Sequence, residues 1–123
     1  MAAGDMKGPC KVIKVTSGAA VTVGQVVHIE ADGYWYPVAD ADLGKFGVAI
    51  DAASAAGEEI RIVIEGPVEV TATAATIAKG AHVMAGAGGL VAEADHVAAY
   101  EIVGTALDAF ASGGTATVHV GMM

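Results

Sequence analysis

The stretch GQVVHIEADG at residues 24 to 33 returns as GAHVMAGAGG at residues 80 to 89, an offset of 56. Gly24 meets Gly80, Val27 meets Val83, Ala31 meets Ala87 and Gly33 meets Gly89. At an offset of 57, Gly47, Ala49, Asp51 and Ala52 meet Gly104, Ala106, Asp108 and Ala109, and at 56 again Ile62 and Ile64 meet Val118 and Val120. A chain that keeps order and spacing this way is expected to fold as two similar β units closing on one core, with halves near 19–66 and 75–121.

The local pattern agrees. Apolar and polar residues alternate in Ile60-Arg61-Ile62-Val63-Ile64-Glu65 and in Thr115-Ala116-Thr117-Val118-His119-Val120, the period of a strand with one buried face. Gly and Asp-Gly signals punctuate the runs, Ser17-Gly18, Asp32-Gly33, Gly57, Gly66-Pro67 and Gly113-Gly114 among them. The expected class is all-β, a small barrel or sandwich. Asp32-Gly33 marks the clearest hairpin, because that dipeptide takes the positive φ angles of a tight turn, and it leads into Tyr34-Trp35-Tyr36. Three alanine-rich stretches, 39–45, 72–78 and 92–100, are expected to hold short helical turns.

At 123 residues the chain suits one domain. Hydrophobic residues make up 54 % of it and aromatic residues 5 %, so the core is built from small and β-branched side chains, and so apolar a chain is not a disordered one. Six basic against fourteen acidic residues give a net charge of −8, which argues against direct contact with nucleic acid, since such binding runs on clustered Lys and Arg. The longest uncharged stretches, 15–29 and 109–123, fall short of the roughly 18 apolar residues of a membrane span. The opening MAAGDMKGPCKVIKV lacks the apolar run of a secretory signal and reads as an extended N-terminal arm over residues 1–14, leading into a β domain over 15–123. Cys10 is the single cysteine, so no intrachain disulfide forms, in keeping with synthesis in a reducing compartment.

Catalytic patterns are not found. His28, His82, His96 and His119 have no spacing that sets two ligands on one element, so no metal or cofactor is expected. His28 and His119 are expected to face solvent from their strands. Residues 84–89, MAGAGG, lack the Lys-Ser or Lys-Thr of a phosphate loop. Ser17, Ser54, Ser112 and Cys10 show no nucleophile elbow, so the protein is not expected to be an enzyme. Asp51 and Asp108 are expected to cap turns by accepting from backbone N–H groups two residues on.

Three stretches carry a family resemblance: AVTVGQVV at 20–27, GVAIDAA at 47–53 followed by GEEI at 57–60, and VIEGPVEV at 63–70. Over residues 19–121 the sequence resembles the small capsid decoration, or cement, proteins of phages, and its middle is similar to the head-stabilising proteins of lambdoid phages. The resemblance implies a structural virion protein that binds the outside of the assembled capsid and bridges subunits of the major capsid protein. It also implies a homo-oligomer, with a trimer favoured over a dimer, made in the host cytoplasm, with no active site. The residues expected to touch partners are Lys7, Pro9, Lys11 and Lys14 in the arm and Tyr34, Trp35 and Tyr36 at the hairpin, since Tyr and Trp dominate interfaces. Trp35 reads equally as the single large side chain of the core. The competing expectation is a small-molecule or carbohydrate-binding β module that uses the three aromatics as a stacking platform.

Overall fold

The computed structural model describes residues 3–38, 46–72, 76–85, 91–93, 102–111 and 113–121. The strands are β1 (Lys11–Thr16), β2 (Val26–Ile29), β3 (Trp35–Pro37), β4 (Phe46–Ala49), β5 (Glu59–Thr71), β6 (His82–Ala85), β7 (Val91–Glu93), β8 (Ile102–Ala106) and β9 (Thr115–Val120). Among the described residues there is no helix. The fold is all-β, one antiparallel sheet curled into a half-barrel in the order β3-β2-β4-β5-β9-β8-β6-β7, with β1 paired to the first half of β5.

The strands pair in the same order on either side of β5. β2 pairs with β3 and β4, and β4 with the first half of β5; β6 pairs with β7 and β8, and β8 with β9. Val27 stands opposite Gly47 as Val83 stands opposite Gly104. The Gly24 N–H donates to the Ala49 carbonyl at 2.7 Å and the Gly80 N–H to the Ala106 carbonyl at 2.8 Å. The isolated bridge Val21–Ala53 has its counterpart in Ile77–Phe110.

Where one core was expected there are two clusters. Val21, Val27, Trp35, Ala49, Ala53, Ile60 and Ile62 fill the first half. The larger cluster holds Ile77, Val83, Ala106, Phe110, Ala116 and Val118 from the second half and adds Val26, Val48 and Val63 from the opposite face of the first. The sheet of the first half is therefore apolar on both faces, and each curl wraps its own inward residues.

β5 joins the halves. The sequence marks Gly66-Pro67 as a turn, yet the strand runs through it for 13 residues. Val63 before Gly66 and Val68 and Val70 after it face the same cluster, so the alternation slips by one residue there. Gly66 has φ of +122°, a conformation open to glycine, and a Cβ would meet the Pro9 carbonyl oxygen at 2.7 Å.

The segment read as an arm lies against the domain. Residues 11–14 belong to β1, and residues 4–7 line the second half of β5: the Gly4 N–H donates to the Glu69 carbonyl at 2.7 Å, the Glu69 N–H to the Asp5 carbonyl at 2.8 Å and the Lys7 N–H to the Pro67 carbonyl at 2.9 Å. The physical cause is the edge of β5, whose unpaired backbone groups these residues satisfy. Of the stretches expected to hold helical turns, 39–45, 73–75 and 94–100 lie outside the described residues. Ile77 forms a bridge, and Ala92 and Glu93 belong to β7.

Candidate interaction edge

β1 reads KVIKVT because it borders the first cluster on one side only: Ile13 and Val15 pack inward, while Lys11, Val12 and Lys14 are exposed. Its backbone alternates in the same way. The Ser17 N–H donates to the Glu58 carbonyl and the Ser17 carbonyl accepts from the Gly57 N–H, both on the β5 side, whereas the Gly18 N–H donates to Trp35 on the other side. Counting back from Ser17, the N–H and C=O groups of Thr16, Lys14 and Val12 point away from β5. At Ser17 a parallel bridge to Trp35 of β3 covers the end of that outer edge; among the described residues, no strand pairs with it at Val12 and Lys14.

The predicted arm residues separate into distinct environments. Lys7 Nζ stands 3.9 Å from Glu69 Oε1, with the Lys7 side chain 36 % exposed and that of Glu69 fully buried. Thr117 Oγ1 donates to the same Glu69 oxygen at 2.9 Å, while Glu69 Oε2 and His119 Nδ1 are buried without a hydrogen-bond partner among the described residues. Pro9 is exposed and places its carbonyl over Gly66. Lys11 stands opposite Glu65, and Lys14 opposite Arg61. Lys7, Lys11, Lys14 and Arg61 thus put four of the protein's six basic residues along β5 and its edge.

The aromatics do not act as one platform. Trp35 is buried in the first cluster, Tyr34 is exposed, and Tyr36 is half-buried with its ring against Gly18. The Asp-Gly hairpin forms as expected: the Gly33 N–H donates to the Glu30 carbonyl and Gly33 has φ of +85°. The Tyr36 hydroxyl donates to Asp32 Oδ2 at 2.5 Å and the Tyr34 N–H to Asp32 Oδ1 at 3.0 Å. These bonds stabilise the Asp32 carboxylate and pull its pKa below the usual value, while the same bond pushes the Tyr36 phenol up to about 12.

Two acidic groups organise the basic edge: Asp51, read from the sequence as a turn cap, and Glu69, which the sequence did not single out. Asp51 accepts from the Arg61 backbone N–H and, bidentate, from its guanidinium, all three at 2.9 Å, and this bonding holds the Asp51 carboxyl below its ordinary range and raises Arg61. Asp51 therefore ties the loop after β4 to β5, where a local cap two residues on was expected. Glu69 sits between Val68 and Val70 and looks like an ordinary outward residue of an alternating strand; no local signal reveals its burial, which follows from pairings with residues distant in sequence.

Among the described residues, no side chains at this edge assemble a catalytic group. Ser54 gives its hydroxyl hydrogen bond to Glu58 at 2.6 Å, and Ser17 is buried, bonded to the Ala55 carbonyl. Cys10 Sγ lies 3.2 Å from the Pro67 carbonyl oxygen, and burial pushes its thiol up. His28, expected to face solvent, is buried, with Nε2 at 3.4 Å from Glu30. His119 is half-buried, His82 exposed, and His96 lies outside the described residues. Among the described residues no group of three His, Cys, Asp or Glu could hold a metal ion, and no helix is long and apolar enough to cross a membrane.

No curated protein matches the chain. A solved structure, the N base of the head fiber gp8.5 of bacteriophage phi29, is similar with a TM-score of 0.64 over 92 % of this chain and 95 % of that one. Sequence identity is 14 %, so the likeness concerns the fold alone. A family model described as phage cement protein matches residues 7–122. The chain accordingly belongs to the phage cement protein family, structural proteins of the phage head.

Proposed function

We propose that this protein binds the outer surface of the assembled phage head and bridges neighbouring major capsid subunits, stabilising the shell. The observation that carries the reading is the cement-protein match over nearly the whole chain. The geometry is consistent with it: the described residues offer no assembled catalytic group, and the basic side chains of an acidic protein gather beside β1. The protein is read as two like β units fused through β5 and working as a homo-oligomer, with a trimer favoured over a dimer, on the exterior of a virion assembled in the host cytoplasm. Its contacts are with capsid protein, since a net charge of −8 opposes packaged nucleic acid.

Lys11, Lys14 and exposed Tyr34 are the expected contact residues; Lys7 and Pro9 hold the N-terminal segment in place, and Trp35 supports the hairpin from within. The test is co-sedimentation of the purified protein with expanded capsids of its phage and with unexpanded procapsids. Saturable binding to expanded shells, with a rise in their temperature of disruption, is the expected result. Absence of binding to any shell would overturn it.

A further inference from the structure

The two halves differ at one equivalent place. In the second half, the strand outside β9 is the second part of β5, and there Pro67 stands opposite His119 and Glu69 opposite Thr117. In the first half, the strand outside β5 is β1, and there Val12 stands opposite Val63 and Lys14 opposite Arg61. Since 63 and 61 become 119 and 117 on adding 56, Val12 corresponds to Pro67 and Lys14 to Glu69. The outward backbone groups of Pro67 and Glu69 are filled, antiparallel, by residues 4–7. Those of Val12 and Lys14 have no strand partner among the described residues.

We infer that the outer edge of β1 accepts an extended acidic strand of a capsid subunit, added antiparallel opposite Val12 and Lys14, short of the end that Trp35 covers. The inference rests on the capsid-binding reading and names the contact that serves it. Its chemistry is the mirror of what the chain does to itself. In the second half a strand bearing Lys7 closes over the acid Glu69, 3.9 Å away. In the first half the corresponding side chain is the base Lys14, exposed, so the complementary strand carries an acid at the place where Lys7 stands. Main-chain hydrogen bonds along the edge supply affinity and this charge supplies register.

Two variants separate the contributions. Val12→Pro removes an N–H that points outward, a position at which a sheet edge tolerates proline, and so blocks the incoming strand while sparing the ladder to β5. Lys14→Glu reverses the charge and Lys14→Arg restores it. The measurement is hydrogen exchange of the full-length protein, free and bound to expanded capsids of its phage, with thermal melting to confirm that each variant is folded. The amides of Val12 and Lys14 are expected to slow on binding, and Val12→Pro and Lys14→Glu to weaken binding about tenfold or more while Lys14→Arg retains it.

Capsid binding that leaves these amides unchanged would overturn the strand addition and leave the capsid reading standing. No capsid binding by the parent protein would overturn both. Protection that grows with protein concentration in the absence of capsid would assign the edge to a second copy instead, and so overturn it too.

Discussion

Asp51 and Arg61 are joined by three hydrogen bonds of 2.9 Å that span ten residues of chain and clamp the loop after β4 onto β5. Both side chains keep solvent contact, at 33 % and 55 % exposure, so the pair is screened. Asp51→Asn is expected to cost about 1 kcal/mol in chemical denaturation, as a bidentate charged pair is exchanged for neutral bonds. The folded carboxyl titrates below its ordinary value of 3.8. The stability it adds is therefore complete above that value and disappears as pH falls through the folded one, an acid limb that Asp51→Asn should lack.

Tyr36 gives the opposite sign. Its phenol is raised from 10.0 to about 12 by the hydrogen bond to Asp32. What the bond contributes is present below pH 10 and lost as pH rises through about 12. In a spectrophotometric titration one tyrosine should ionise late, and Asp32→Asn should bring that step back toward the others. A tyrosine step unchanged by Asp32→Asn would show that the bond does not form.

Gly47 stands opposite Val27 and Gly104 opposite Val83, and the two glycines differ in the space around them. A Cβ on Gly104 would run into the His119 carbonyl oxygen, a backbone atom, whereas on Gly47 its nearest neighbour is the end of the Ile62 side chain at 2.8 Å. Gly104→Ala is expected to cost about 3 kcal/mol or more and Gly47→Ala about 1 kcal/mol, because a side-chain terminus yields more readily than a strand. Melting temperatures of the two variants decide the order.

Lys7 stands over a fully buried carboxylate. Lys7→Ala should destabilise by about 1 kcal/mol by leaving Glu69 without its nearest cation, and Glu69→Leu in that background should recover the loss, since removing both charges is milder than removing one. A double-mutant cycle with no coupling would show that the two act independently.

Much of the architecture was legible. The alternating runs at 60–65 and 115–120 report two strands, though the first hides Ile62 on one face and Val63 on the other, and Asp32-Gly33 reports a hairpin because its backbone demand is local. The parts that were not legible are those set by distant residues. Gly66-Pro67 carries the letters of a turn, but Cys10 and Pro9 crossing over it turn the positive φ into a slip within a continuous strand. Residues 1–14 look unable to pack because they contain little to bury; what holds 4–7 is backbone pairing with β5, which side-chain composition does not encode. Trp35 satisfied two readings at once, and its inward direction was decided by the register of β3 on β2.

The continuity of β5 has a mechanical consequence. A single strand of 13 residues runs through both halves, with β1 and residues 4–7 bonded along one side and β4 and β9 along the other. A tensile load that draws the halves apart acts along the axis of β5 and across its rungs, so they carry it in shear, many together, where a hinge between two lobes would peel open one bond at a time. An expanding shell that pulls on both ends of this molecule would meet a tie rod.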